Sequence, residues 1–335
     1  MSLFLAHNAK ENPGLKTNSV TKPLAAVTGL ILLAGCTHYS DTTEPTSKPL
    51  SEKRVMQEEG KVTYWVLPGP RKLDSETFGT PENPRMRLKP KIQAAKATKG
   101  PKTVPDLLKK VPAMVAAPEK GRTVKPNGDY VFAQPTPFSD KARIIQGHFE
   151  ATFTDMVKTD PPGKPGNTPD TAEFSAEFSD PQGNQYRVVL DHVVKPPFPG
   201  YETEGGVMLD SVHHGTTGTG SPLMPKVDTV AALWGVGELH INGEMVDDHR
   251  VMHLMTSEVV RNKDYELVHT EDLPLAPEER HISGQAHHTH LMMPPIKGTK
   301  KGPVFSPVPS AFQLPNGKKQ PFIHVMFEQD QVETL

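Results

Sequence analysis

The chain has 335 residues, 37 Lys+Arg against 39 Asp+Glu, a formal net charge of −2 and one cysteine, Cys36. One cysteine excludes a disulfide within the chain. Apolar residues make up only 35% and there are 35 prolines, so a packed core can occupy only part of the length, in at most two domains.

In chain order, Lys10, Lys16 and Lys22 precede the uncharged run Pro23–Gly35, and polar residues (Thr37, His38, Ser40, Asp41) follow at once. A secretory signal peptide needs a basic start, an apolar stretch of about 7–15 residues and small residues at its end. The run is too short for a transmembrane helix, which needs roughly 20 apolar residues. Its last four residues, Leu33-Ala34-Gly35-Cys36, resemble the lipobox of bacterial lipoproteins. The resemblance covers about 15 residues and implies a signal peptide at 1–35, removal of that peptide, and a lipid on the Cys36 thiol. Several acyl chains give stable anchoring where one gives only marginal binding, so the implied partner is a membrane. With Thr37 rather than Asp after the cysteine, the resemblance favours the outer membrane of a Gram-negative envelope. The long basic region, which includes Glu11, departs from the pattern. A start downstream of Met1 would restore it without moving Cys36.

Residues 36–126 read as a flexible tether. Lys61–Leu67 is an isolated strand-like run that can dock against a later domain. From Arg85 to Lys125 there are twelve Lys/Arg and two acids, a local charge of +10. A short helix is expected at Val104–Ala117, interrupted by Pro112. Such composition buries too little apolar area to offset ordering entropy. Its charge suits anionic lipid headgroups or acidic envelope polymers, and equally keeps a spacer extended. The absence of interleaved aromatics argues against nucleic acid.

From Asn127 to Leu335 the pattern changes to alternation. Phe149, Ala151 and Phe153 face one way, as do Phe174, Ala176 and Phe178, and Ile323, Val325 and Phe327. Period-2 alternation marks half-buried antiparallel strands. The stretch 159–171, with four prolines, suits a long loop, and Asp180–Asn184 a turn. Tyr186–Val194 reads as a strand with His192 on the apolar face of Val188, Leu190 and Val194, a core position. Thr229–Val236 reads as a buried strand, Asn242-Gly243 as a hairpin turn that needs positive φ at both positions, and His249–Arg261 as a strand. The expected fold is mainly β, an antiparallel sandwich or barrel behind a Pro/Lys-rich tether.

Thirteen of the fifteen histidines lie between His148 and His324. The densest cluster is His281, His287, His288 and His290, followed by Met292-Met293. His249, Met252, His253 and Met255 form a second group, and His213-His214 opens the loop Gly215–Gly220. Neutral imidazole is a good ligand for several transition metals, and thioether sulfur favours Cu(I). His288 and His290 share one face of a strand. His249 and His253 also share a face but sit about 13 Å apart on a strand, which makes a poor pair. His324 and Met326 complete a His/Met site if the last strand neighbours 287–290. The candidate ligands are therefore His287, His288, His290, His324 and Met326, with copper or zinc as the metal. Histidines satisfied within a core explain the same pattern without a metal.

Other chemistry finds little support. The loop Gly215–Ser221 resembles a phosphate cradle but lacks the Gly-Lys-Ser/Thr ending, and no Gly-x-Ser-x-Gly elbow is present. Trp234 with Tyr201 and Tyr265 could line a carbohydrate surface, but one Trp inside an apolar strand is more often core. The sequence therefore reads as a lipid-anchored binding protein of the bacterial envelope rather than an enzyme. A metal-dependent enzyme with Glu328 as base, or a structural subunit of an envelope complex, stands as the alternative.

Overall fold

A computed structural model describes residues 49–85, 111, 114, 116–157, 168–195, 206–299 and 303–335. The signal peptide expected at 1–35, Cys36, Tyr201, most of the helix expected at 104–117 and most of the loop expected at 159–171 lie outside the described residues.

In chain order the strands are β1 Ser51–Gln57, β2 Thr63–Val66, β3 Gly69–Lys72, β4 Arg122–Val124, β5 Tyr130–Thr136, β6 Ala142–Ile145, β7 Gly147–Asp155, β8 Thr171–Ser179 and β9 Gln185–Val193. They continue as β10 Val207–His213, β11 Val227–Ile241, β12 Glu244–Glu258, β13 His287–Met293, β14 Ile296–Lys297, β15 Val304–Phe305, β16 Ile323–Glu328 and β17 Gln331–Thr334. One four-residue helix, α1, spans Ser75–Phe78. The fold is mainly β, as the alternation implies.

The large antiparallel sheet runs β17-β1-β7-β8-β9-β11-β12-β13-β16-β2-β6 and curls into a half-barrel. Its two ends share chain. β1 pairs with β7 and β17, while β2 pairs with β6 and β16, so β1 and β2 act as one kinked strand between two others. Gln57, 1% exposed, seals the kink: its Nε2 donates to the carbonyls of Val62 (2.8 Å) and Glu328 (2.6 Å), and the Thr63 hydroxyl donates to its Oε1 (3.0 Å).

Inside the curl lies one apolar core. Alternating positions of nearly every strand fill it, among them Val55, Trp65, Phe149, Phe153, Phe178, Val188, Leu233, Leu254, Leu291, Val325 and Phe327. Barrel interiors of this kind are packed with side chains rather than hollow. Trp65 sits at the centre, its ring 5.4–5.5 Å from those of Tyr186 and Phe312.

The outward face of β11, β12, β13 and β16 is covered by a second layer. It consists of the small sheet β3-β5-β4 and the loops around residues 137–141, 214–226 and 259–285. Between wall and cover lies a second core with Leu73, Phe132, Phe138, Leu223 and Leu267 from the cover, and Ala232, Met255 and Met292 from the wall. Two buried arginines fasten the cover to itself. Arg71 donates to the carbonyls of Leu223, Leu267 and Val268, and Arg261 to those of Ser139 and Tyr265.

Two sequence expectations change. The folded sheet begins at Ser51, not near Asn127, so β1 to β4 occupy part of the stretch 36–126 read as tether. β1 carries little apolar signal because it buries only one side chain in two, Lys53, Val55 and Gln57, whereas β2, buried at all four positions, falls within the strand-like run Lys61–Leu67. His192 is exposed and paired with Asp191 rather than in the core. A bulge places Val236 opposite His192 but Gly237 opposite Leu190, so the alternation inverts and Val193 turns inward instead.

Candidate metal centre

The face of the wall that carries the histidines is set by strand register. His253 lies opposite Met292, Met255 opposite His290, His290 opposite Met326, and Met292 opposite His324. The imidazoles therefore occupy diagonal positions, with methionines directly across from them. Ring centroids are 5.3 Å apart for His253 and His290, and 5.4 Å for His290 and His324. His214 comes from outside these strands, just past β10, at φ +66°. Its ring is 6.3 Å from that of His253 and 6.4 Å from that of His290. One ligand-capable nitrogen from each of His214, His253 and His290 lies within 4.8 Å of the others. Three buried histidines this close together could hold a metal. His324 flanks the triad beside His290.

All four rings are withdrawn from solvent, at 5% exposure or less. Burial disfavours the imidazolium form. It takes the pKa of His253 down to about 4 and that of His324 to about 3, and those of His214 and His290 well below the ordinary value. The neighbouring imidazoles reinforce the shift at His290. At neutral pH the cluster is a set of uncharged nitrogen donors.

The hydrogen bonds fix where the protons sit. A carbonyl can only accept, so His253 Nδ1–H donates to Leu233 O (2.8 Å) and His324 Nδ1–H donates to Pro137 O (2.8 Å). Each ring then presents a lone pair at Nε2. The buried Nε2 atoms of His253, His290 and His324 have no hydrogen-bond partner. Unpartnered buried polar atoms are rare in folded proteins and call for an explanation. A ring whose other nitrogen is tied to a backbone carbonyl is how metal-bound histidines are usually held. Trp234 stacks on His253 at 4.6 Å between centroids and fixes that ring from one side. The Met255 sulfur lies 3.2 Å from His214 Nε2.

The structure divides the residues singled out in the sequence. His290, His324 and Met326 share the face, as expected if the last strand neighbours 287–290, and β13 does pair with β16. Met326 packs with Tyr64, Val66 and Tyr265. His288 shares the face as well, but its Nδ1 lies 3.4 Å from the buried Glu328 carboxylate. Burial raises the Glu328 pKa, yet His288 and the 2.6 Å hydrogen bond from Gln285 outweigh it and hold the group below its ordinary value. His287 alternates onto the opposite face. His214 and His253 were visible in the sequence as His213-His214 and as the group around Met252 and Met255. Neither pointed to the other, because only the fold of β10 and β12 onto the two sides of β11 joins them. The Gly-rich loop read as a failed phosphate cradle serves to position His214.

No family model, curated protein or solved structure matches the chain. Among the described residues no helix is long and apolar enough to cross a membrane.

Proposed function

We propose that this protein is a lipid-anchored binding protein of the bacterial envelope that holds a soft transition metal, copper(I) ahead of zinc, in its His/Met cluster. The carrying observation is the set of three buried Nε2 atoms, on His253, His290 and His324, that have no partner, with the rings of His253 and His324 already oriented by backbone carbonyls. His214, His253 and His290 would hold the ion, with the Met255 sulfur beside them and His324 in reserve.

The preference for copper(I) rests on charge. The donors are neutral imidazoles and thioethers, so the ion's charge enters a low-dielectric site uncompensated. The cost of burying a charge grows with its square, which favours a monovalent ion over a divalent one. Thioether sulfur also selects Cu(I). The lipobox Leu33-Ala34-Gly35-Cys36 supports attachment to the membrane, the outer one if the envelope is Gram-negative, and the basic stretch 85–125 supports contact with anionic headgroups or acidic envelope polymers. A second reading, a metal-dependent enzyme, draws on the buried Glu328–His288 pair, but the burial of all four rings favours a closed site.

The test is metal analysis of the full chain, purified without an affinity tag from cells supplied with copper and zinc. About one copper per chain is expected, with zinc in its place as the sign of a divalent site. Substoichiometric amounts of every transition metal, with no thermal shift on adding them, would overturn the metal reading. For the anchor, Cys36→Ser is expected to remain unprocessed and to lose labelling by a lipid probe. A variant that still takes the label would refute it.

A further inference from the structure

Among the clustered imidazoles, His214 is held the wrong way round for a ligand. The Ser221 backbone N–H donates to His214 Nδ1 at 3.0 Å. An amide N–H can only donate, so Nδ1 accepts and the proton of the neutral ring sits on Nε2, aimed at the Met255 sulfur 3.2 Å away. This is the reverse of His253 and His324, which carry their protons on Nδ1. Neither nitrogen of His214 is therefore free to coordinate: Nδ1 is covered by Ser221 and Nε2 is protonated. Yet His214 belongs to the triad, with His253 and His290, that among the described residues brings its nitrogens within 4.8 Å of each other.

Coordination through Nε2 moves the ring proton to Nδ1. There it would point at the Ser221 N–H, donor against donor. Coordination through Nδ1 displaces the same N–H directly. Either route breaks the Ser221–His214 hydrogen bond.

The segment that must give way is built to move as a unit. Several hydrogen bonds close it on itself, among them His214 N–H to Thr219 O (2.7 Å), the Thr217 hydroxyl to His214 O (2.7 Å) and Thr219 N–H to the Thr217 hydroxyl (3.1 Å), while Gly215 N–H to Met224 O (3.2 Å) ties its base. Gly215 and Gly218 carry positive φ of +53° and +99°, conformations that cost glycine little. At its far end the Ser221 hydroxyl is tied to Met114 O (3.1 Å).

We propose that the segment 214–221 is the door of the metal site and His214 its closing ligand. Loading exchanges the Ser221–His214 hydrogen bond for a metal–His214 bond, shifts the ring proton from Nε2 to Nδ1 and frees the Ser221 amide. The exchange needs no net gain or loss of protons. The inference rests on the metal reading above and adds to it a route of entry and a signal of occupancy.

The test uses the full-length chain labelled with ¹⁵N-histidine and titrated with Cu(I) alone. Before loading, His214 is expected as the Nε2–H tautomer; after one equivalent, as Nδ1–H, with deuterium exchange at the Ser221 amide at least tenfold faster. Ser221→Pro, which removes the N–H, is expected to take up Cu(I) severalfold faster. If one Cu(I) binds while His214 stays Nε2–H and Ser221 keeps its protection, the door is refuted and the metal reading stands. If no Cu(I) binds, both fall.

Discussion

The imidazoles of His253 and His290 meet edge to face across two neighbouring strands, 5.3 Å between centroids and 61° between planes, and neither Nε2 has a hydrogen-bond partner. Two buried nitrogens without partners contribute nothing to the fold, so a bound cation would turn a liability into a source of stability. A ligand that binds only the folded state at 100 times its Kd adds about 2.7 kcal/mol. The wild-type chain is expected to show a gain of that order in urea unfolding when saturated with copper(I). His290→Ala should lose the gain entirely and cost a further ~2–4 kcal/mol through the cavity it leaves. His287→Ala, on the opposite face, should keep the full gain. A His290→Ala chain still stabilised by copper(I) would show that the ligands lie elsewhere.

Gln57 makes a second, independent prediction about the seam of the half-barrel. Its amide hydrogen-bonds two carbonyls and a hydroxyl at the buried kink, where Val62 O also accepts the Glu328 N–H and the Thr63 hydroxyl also reaches Gly147 O. Gln57→Ala removes all three bonds, each worth about 0.5–1.5 kcal/mol. The expected loss is roughly 3 kcal/mol in urea unfolding, with strand content by circular dichroism unchanged. A loss under about 1 kcal/mol would mean that water replaces the amide and the seam is open.

The sequence made the inward faces legible because burial on one side of a strand leaves a period of two. Phe149, Phe153, Phe174 and Phe178 fall where that period puts them, in the inner core. The Asn242-Gly243 turn was equally readable, with φ of +52° and +86°. What could not be read is the second core. On the wall side it includes Ala232, Met255 and Met292, on the face that also carries the buried histidines, and these are buried only because the β3-β5-β4 layer and its loops lie over them. Cover strands such as β4, whose residues are half-buried or exposed, carry no alternation to announce them. The buried histidine cluster is a product of that cover. His290 and His324 could be paired from strand logic, but His214 depends on a loop, and His192 was misplaced by a bulge that no local pattern records.

Gly237 tests that bulge. A Cβ added there would lie 2.1 Å from Val189 O and 2.6 Å from the Met252 methyl, closer than any real contact. The first neighbour is backbone and cannot swing aside. Gly237→Ala should therefore push β9 from β11 and cost on the order of 3 kcal/mol, the range of strained core insertions. Hydrogen exchange should rise at β9 amides in particular. An alanine accepted without loss would mean that β11 lies farther from β9 than the structure places it.

Asp330 sets a pH dependence that owes nothing to the metal. The residue is partly exposed, but its Oδ1 is shut off from solvent and without a partner, and its Oδ2 accepts the Thr289 hydroxyl at 2.5 Å. Burial of the carboxyl raises its pKa from 3.8 to about 7. The folded state thus holds this proton more tightly than the unfolded chain. Its contribution is favourable relative to the ionised form below pH 3.8 and is lost as pH rises through about 7. At about 1.4 kcal/mol per pKa unit, the penalty for ionising it in place has an upper bound of about 4 kcal/mol, reduced by the residue's partial exposure. Asp330→Asn removes the titration while keeping an acceptor for Thr289. The variant should match the wild type near pH 4 and be more stable by a few kcal/mol at pH 8. Urea unfolding of both chains at pH 4, 6 and 8 measures the difference, and parallel curves across that range would show that Asp330 ionises freely in the folded protein.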